Sequence, residues 1–386
     1  MAEYSRHHFV PQFYLRNFAV DTDVEVAERR QIALFNVPTS KFVPSTSIRN
    51  QAQRKKLYGT GSGEKALSDL EGTSSAIIRR MVDRREVPKW RSGEHFTLLV
   101  FVLFQAFRTP TAAAELEDAQ EQWVKTVASF DARLAPHLDQ VRIRMPDAVK
   151  HALHSAALHH PIALDLRYKL LINRSQTPIL TSDHPVVFYN QFMERRRKFG
   201  SATGLACKGL QLFLPLSPDC CLILFDSDVY RVGGRSFTGI QVAASQEDVN
   251  ALNLLQVANA GTQLFFNSAM PEQEVRRLVA KGSAFRPLAR TSVTTYPKQE
   301  KADGAATVLM HSSKTDLKLG LKLSNVDELP SASDYQLGRA VVHPRDPILC
   351  DLHDEFLAKI DAKQYRPSEF GQFIKDKQMR AGISGN

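Results

Sequence analysis

An unbroken apolar run, FTLLVFVLF, occupies Phe96 to Phe104 and constrains the fold more than any other segment. A helix that crosses a bilayer needs about 20 apolar residues, so this run is too short to span one. It lies within residues 93–107, which are apolar on nearly every side, and such a helix has to be covered by other elements. The sequence therefore predicts a buried, central helix.

The segments around this helix suggest a division into a helical part and a sheet part. Periodicity, capping residues and proline positions predict helices over residues 9–18, 64–82, 110–134, 147–160 and 246–266. Alternation and short apolar runs predict a hairpin over 31–48 and strands over 163–172, 178–181, 185–189, 210–215 and 220–225. We therefore expect an α+β fold, in which a helical N-terminal half packs on a small, mostly antiparallel sheet.

The last quarter of the chain has a different composition. Residues 297–338 mix Lys, Asp, Ser and Gly with few large apolar residues, which is typical of a poorly packed linker. Residues 346–376 then have the spacing of one or two amphipathic helices. We predict a main α+β domain over 1–290, a linker over 291–340, and a C-terminal helical tail over 341–386 that docks on the body or on a partner protein.

The cysteines and the N-terminus indicate a compartment. Four cysteines without a CxxC pair favour free, mostly buried thiols in a reducing environment. Residues 1–30 are polar, without the apolar segment of a secretory signal. We therefore expect a cytoplasmic protein that does not enter a membrane.

The charge balance suggests a polyanionic partner. The net charge is +9 and the pI is about 9.3, and basic residues cluster within 54–56, 79–85 and 195–198. DNA or RNA is the partner that such clusters favour. The predicted nucleic-acid contacts are Arg54, Lys55, Lys56, Arg195, Arg196, Arg197 and Lys198. The alternative is a set of solvated basic faces, since acids such as Asp83 and Glu194 lie close by.

Common catalytic signatures are missing from the sequence. It contains no GxxxxGK[ST], GxGxxG, HExxH or GxSxG, which argues against a P-loop enzyme, a Rossmann dehydrogenase, a zincin and an α/β-hydrolase.

Four polar groups remain as candidates for chemistry. They are His7-His8, the pair Glu64 and Glu71 two helical turns apart, the pair Gln105 and Arg108 at the end of the most apolar helix, and Thr181-Ser182-Asp183-His184-Pro185 between two strands. Each has a structural alternative: local packing for the histidines, a solvated helix face for the glutamates, and an Asx turn for Asp183. Arg108 has to be paired or to face a cavity, because burying an unpaired charge is very costly.

Several of these segments resemble the uncharacterised bacterial family DUF4238. The resemblance is carried by HHFVPQFYLRNFA (7–19), KKLYG (55–59), EKALSDLE (64–71), QAFRTP (105–110), TSDHPVV (181–187), LPLSPDCCLIL (214–224) and NALNLLQVANA (250–260). It extends over about residues 7–267. Family members usually have SDNP where this chain has Ser182-Asp183-His184-Pro185. The resemblance implies no particular reaction, and it suggests bacterial defence or toxicity as a setting.

The leading hypothesis is a metal-dependent phosphodiester hydrolase, a nuclease or nucleotide hydrolase. Its catalytic residues would be His7, His8, Glu71, Gln105, Arg108 and Asp183. Glu71 and Asp183 would bind Mg²⁺ or Mn²⁺, His8 would act as a general base or a further ligand, and Arg108 would stabilise charge on the phosphoryl oxygens. The alternative is a non-catalytic module that binds nucleic acid or a protein partner, in which the motif residues join the helical half to the sheet.

Overall fold

The computed structural model describes residues 6–55, 57–58, 62–196, 201–233, 240–296, 299–300, 306–307, 310–337 and 343–380. Three of the predicted nucleic-acid contacts, Lys56, Arg197 and Lys198, lie outside these residues.

Helices predominate over residues 62–159 and 347–380 of the described chain. The helices are α1 (Gln12–Leu15), α2 (Ser62–Asp83), α3 (Gly93–Phe107), α4 (Pro110–Ala128), α5 (Ala148–His159), α6 (Gln191–Glu194), α7 (Gln246–Asn259), α8 (Glu272–Ser283), α9 (Pro330–Ser333), α10 (Pro347–Asp361) and α11 (Phe370–Arg380). As predicted, α4 begins at Thr109-Pro110, where the Thr109 hydroxyl accepts the amide N–H of Ala112. It ends at Ala128, six residues before the predicted end at 134, and a 3₁₀ turn follows at Ala135–Gln140.

The strands form several small sheets. They are β1 (Arg6–His8), β2 (Gln31–Asn36), β3 (Lys41–Ser47), β4 (Gln53–Lys55), β5 (Arg167–Asn173), β6 (Thr181–Ser182), β7 (Val187–Tyr189), β8 (Gln211–Ser217), β9 (Cys220–Phe225), β10 (Tyr230–Val232), β11 (Gln241–Ala244), β12 (Gln263–Phe266), β13 (Thr291–Thr295), β14 (Gln299–Glu300), β15 (Ala306–Thr307), β16 (Met310–Lys314) and β17 (Val326–Glu328). The α+β fold that the sequence predicts is confirmed.

The largest sheet is the centre of the molecule. Its strand order is β11-β5-β9-β8-β7, and it is antiparallel except for the β11–β5 pair. Side chains alternate between its two faces: Leu222 and Leu224 pack with α3, whereas Ile223 and Phe225 pack with α7. Burial on both faces explains why β9 reads as a continuous apolar run, CCLILF.

The helix that contains FTLLVFVLF is buried, as predicted. In α3, Phe101, Val102 and Leu103 are all almost inaccessible to solvent. Among the described residues, no single helix has the length and apolar composition of a membrane span. Helices α3 and α4 reach that length and composition only when they are taken together, and their axes are bent by 63°.

A second sheet, β3-β2-β12-β6, corrects one prediction. The helix predicted over 246–266 ends at Asn259, and Gln263–Phe266 is a strand between β2 and β6. The run QLFF fits both helical and strand spacing, so periodicity alone could not separate the two. The turn between them, residues 260–262, contains part of the candidate site described below.

The linker predicted over 291–340 is better packed than its composition suggests. Leu317, Leu321 and Leu323 are buried in the core beneath the central sheet, together with α7. The poorly packed description is therefore wrong for these residues, and the domain boundaries at 290 and 340 stay a prediction. A few well-placed leucines anchor a segment that is polar elsewhere.

The C-terminal helices dock on the body. Their own core consists of Phe356, Phe370 and Phe373. Immediately before α10, the buried Arg345 forms two hydrogen bonds to the carboxylate of Asp165, at 2.5 and 2.8 Å, and also donates to backbone carbonyls of the body. One of the two predicted docking modes, on the body, is thus observed.

Candidate functional site

A two-stranded ribbon carries the paired histidines. Strand β1 is antiparallel to β4, with Arg6 opposite Lys55, His7 opposite Arg54 and His8 opposite Gln53. Directly opposite residues share a face of an antiparallel pair. The His7 side of the ribbon packs towards α2, where His7 is only 5% exposed, and the other side carries Arg6, His8 and Lys55.

Arg108 joins this ribbon to two helices. Its Nη2 atom lies 2.7 Å from Glu71 Oε1 of α2 and 2.7 Å from the carbonyl oxygen of His8, and its Nε donates to the Tyr58 hydroxyl at 2.9 Å. The side chain is almost fully buried, whereas Glu71 is partly exposed. The structure thus shows the paired state that a buried guanidinium at this position requires.

His7 has both ring nitrogens engaged. Nδ1 accepts the amide N–H of Tyr58 at 3.1 Å, so Nε2 carries the proton and donates to Glu64 at 3.2 Å. The ring also stacks on Tyr58, with centroids 5.2 Å apart. These contacts orient the 57–58 segment.

His8 differs from His7 in having one ring nitrogen available. Nε2 donates to the carbonyl of Arg49 at 3.0 Å, which leaves Nδ1 as the nitrogen with the lone pair. Burial lowers the pKa of His8, although the Arg49 carbonyl and Glu71 act in the opposite direction. His8 is therefore neutral at neutral pH and can accept a proton through Nδ1.

Gln105 of α3 holds the segment that follows β1. Its Nε2 donates to the carbonyl of Phe9 at 2.9 Å, and its Oε1 has no partner among the described residues. Like Arg108, it satisfies a backbone carbonyl at the point where the β1 motif enters the core.

Asp183 lies in a separate network. Its Oδ1 accepts the amide N–H of Gly261 at 2.7 Å, and its Oδ2 accepts the amides of Thr262 and Gln263 and the Thr262 hydroxyl. Burial raises the pKa of Asp183, and these donors oppose the rise. A Cβ on Gly261 would clash with the Thr111 hydroxyl and lie 3.0 Å from the Asp183 carboxylate, so the close approach favours glycine.

His184 faces the other way, towards α4. Its Nδ1 is 2.8 Å from the hydroxyl of Thr109, the residue that caps α4, and its Nε2 has no partner among the described residues. The main chain around it is held by Asn259, which donates to the carbonyls of His184 and Val186.

The structure brings together five of the six predicted catalytic residues. Two of them, His7 and His8, are in the ribbon itself, and Glu71, Gln105 and Arg108 pack against it. Asp183 is instead bonded to the turn over 261–263. Among the described residues, Glu71 and Asp183 share no hydrogen-bond partner, and no group of three His, Cys, Asp or Glu side chains could hold a metal ion. That Glu71 and Asp183 hold Mg²⁺ or Mn²⁺ together therefore stays a prediction.

The predicted nucleic-acid contacts differ in their environments. Arg54 and Lys55 are exposed on the ribbon, and Arg195 is exposed at the end of α6. Arg196 forms an ion pair with Glu328 at 2.5 Å and lies over the Phe192 ring, so it is held by the protein itself.

Two residues that make contacts in the candidate site were not predicted as site residues from the sequence. Tyr58 contacts both His7 and Arg108, and the only signal for it was its place in KKLYG. Thr109 was identified as a helix cap, and its second contact, to His184, joins residues far apart in the sequence. No local pattern reports such a contact.

The fold and the site define an α+β protein whose polar motif joins the N-terminal ribbon to the helical half. A family model described as "Protein of unknown function (DUF4238)" matches residues 6–270. Since this is more than half of the chain, the protein belongs to the DUF4238 family, as the resemblance indicated. Searches of curated proteins and of solved structures gave no match.

Proposed function

We propose that this protein binds nucleic acid through the ribbon face, defined as Arg6, His8, Arg49 and Lys55. The observation that carries the proposal is the position of Arg6 directly opposite Lys55. Both side chains are exposed on one face of the ribbon, so a phosphate that lies across the two strands can contact both cations.

The surroundings of the ribbon support a polyanion rather than an intramolecular partner. Arg6, Arg49 and Arg54 are exposed, and within the described residues none of them has a carboxylate within ion-pair distance. Most of the other arginine clusters contain such pairs; on α8, for example, Arg276 and Arg277 are paired with glutamates one turn away. The net charge of +9 favours association with DNA or RNA further.

Binding of labelled single-stranded and duplex DNA and RNA, followed by fluorescence anisotropy over a range of salt concentrations, tests the proposal. The variant Arg6→Gln/Arg49→Gln should bind at least about tenfold more weakly, and its salt slope on duplex DNA should fall by about 0.9 for each phosphate that it no longer neutralises. The matched control is Arg276→Gln/Arg277→Gln, which removes the same net charge from α8. Equal weakening in both variants, or no binding by the wild type, would overturn the proposal.

Phosphodiester hydrolysis is a second candidate, and His8 is the observation that favours it. The ring is neutral, its Nε2 donates to the carbonyl of Arg49, and His8 lies on the same face of the ribbon as Arg6 and Lys55. A base beside a phosphate-binding surface can remove the proton from an attacking hydroxyl or water. Arg108 would not contact the substrate; it would hold the main chain of His8 in place, since its contacts are with the protein.

Cleavage of the same labelled oligonucleotides, with Mn²⁺ and with EDTA, separates binding from hydrolysis. We expect His8→Gln to lose turnover while it loses less affinity than Arg6→Gln/Arg49→Gln, because the neutral His8 ring carries no charge to the phosphate; Asp69→Asn on the exposed face of α2 is the control. Cleavage that depends on Mn²⁺ and is abolished in Glu71→Gln and Asp183→Asn proteins that thermal unfolding shows to be folded would support the predicted metal pair. A His8→Gln variant that cleaves like the wild type would eliminate His8 as the base.

A further inference from the structure

A cavity of about 260 Å³ is lined in part by His184 and by none of the ribbon-face residues. Its walls come from the end of α3, from α4 and α5, from Phe188 of β7, and from the β13–β16 hairpin. Most of the lining is apolar, and the main apolar contributors are Ala106, Phe107, Leu116, Ala119 and Phe188. Cavities of this kind, apolar with a few polar groups, are typical of small-molecule sites.

His184 supplies a hydrogen-bond donor at this cavity. Thr109 Oγ1 accepts the Ala112 amide, and among the described residues Nδ1 of His184, 2.8 Å away, is the acceptor within reach of the hydroxyl proton, so we assign Nδ1 as the acceptor. Nε2 then carries the ring proton. Burial, and after it Lys314, lower the pKa of His184 to about 3, so the ring is neutral.

The Nε2 proton has no acceptor among the described residues, although the residue is only 2% exposed. Buried donors normally have a partner, because a donor that leaves water without gaining an acceptor destabilises the fold. Because Nε2 itself has almost no accessible surface, a ligand atom that accepts its proton would complete the site after a small shift of the ring towards the cavity.

The charged groups of the cavity specify the sign of that ligand. Glu115 lies 3.2 Å from Arg290 and 3.0 Å from Lys314, whose side chain also lines the cavity. Burial opposes ionisation of Glu115, but Lys314 and Arg290 more than compensate and lower its pKa. One carboxylate between two cations leaves one positive charge uncompensated, which favours a ligand with a single negative charge.

We infer that this cavity binds a small organic acid, with its apolar body against α4 and α5 and its carboxylate between His184 Nε2 and Lys314. This assignment is independent of the ribbon face, since the two surfaces share none of their residues. It also gives a role to the β13–β16 hairpin, which covers α4 and contributes Lys314.

Calorimetric titration of the intact chain with phenylacetate and octanoate tests the assignment, with phenylacetamide and phenethylamine as neutral and cationic comparisons. At least one acid should bind, and at least about tenfold more tightly than the amide or the amine. Lys314→Gln should weaken that acid by at least about tenfold. Failure of both acids, or equal affinity for the acid, the amide and the amine, would overturn the assignment.

A pair of substitutions on α4 locates the bound acid. Ala119→Trp fills the cavity and should abolish binding, whereas Ala114→Trp, on the exposed side of the same helix, should leave it unchanged. Thermal unfolding shows whether both variants are folded. An Ala119→Trp protein that is folded and binds the acid with wild-type affinity would place the acid elsewhere and contradict the inference.

Discussion

Arg108 and Glu71 form an ion pair of 2.7 Å that links the end of α3 to α2, and the same guanidinium nitrogen holds the carbonyl of His8. Three elements distant in sequence thus depend on one buried charge. Removing one partner of such a pair leaves the other without compensation, which is far more destabilising than losing a surface pair.

We expect Arg108→Met to lower the free energy of unfolding by about 3 kcal/mol, because the His8 carbonyl and the Tyr58 hydroxyl lose their buried donor. Urea denaturation followed by circular dichroism measures the change. The control is Arg80→Ala, which breaks the exposed pair of Arg80 and Glu94 and should cost no more than about 0.5 kcal/mol. Similar destabilisation in the two variants would show that the Arg108 network is not what holds the ribbon.

Asp183→Asn tests the turn over 261–263. An asparagine side chain presents one acceptor oxygen and an N–H₂ group, which would point a donor at backbone amides that already donate. We expect a destabilisation of about 3 kcal/mol, with faster amide hydrogen exchange at Gly261 and Thr262. Asp69→Asn, exposed on α2, should change stability by less than about 0.5 kcal/mol. A stable Asp183→Asn protein with unchanged exchange would make Asp183 a functional candidate again.

Acid should destabilise the protein through its buried histidines. Burial, and to a lesser degree Arg167, lower the pKa of His95 to about 4, and His184 titrates at about 3. Both folded-state pKa values lie below the unfolded value of 6.5, so this stability is fully present above about pH 6.5 and is lost as pH falls towards 4 and 3. At pH 5, each histidine should lower the free energy of unfolding by about 2 kcal/mol relative to neutral pH.

The variant His184→Asn removes one of these contributions. Its unfolding free energy should therefore fall about 2 kcal/mol less than that of the wild type between pH 7 and pH 5. His137→Asn, at an exposed position, should follow the wild type. If His184→Asn and the wild type lose the same amount of stability between pH 7 and pH 5, the pKa of His184 is not lowered by its burial in the folded protein.

Local patterns were sufficient for most of the helices and for the main sheet. The run from Phe96 to Phe104 identified the buried helix, and Thr109-Pro110 identified the start of α4, because both signals act within one turn of the chain. The strand Gln263–Phe266 was missed since its spacing fits two structures, and its pairing partners β2 and β6 decide the outcome.

The candidate site was harder to predict, because its chemistry depends on contacts over long distances in sequence. The sequence indicated that Arg108 needed a partner, but it could not show that Glu71 and Tyr58 supply it. The same limit applies to Asp183, whose four donors come from a segment predicted to be helical. In both cases the partners come from distant segments, and the assignment of Glu71 and Asp183 to one metal site stays a prediction.

Leu321 tests whether the segment over 310–337 belongs to the cooperative core. It is 3% exposed beneath the central sheet, whereas Leu288 is fully exposed. Leu321→Ala should lower the global unfolding free energy by about 2–5 kcal/mol, and Leu288→Ala should change it by less than about 0.5 kcal/mol. Because the two substitutions remove the same atoms, their difference measures burial alone. A single unfolding transition that shifts in Leu321→Ala would show that this polar segment folds together with α7 and the sheet, and an unshifted transition would show that it unfolds separately.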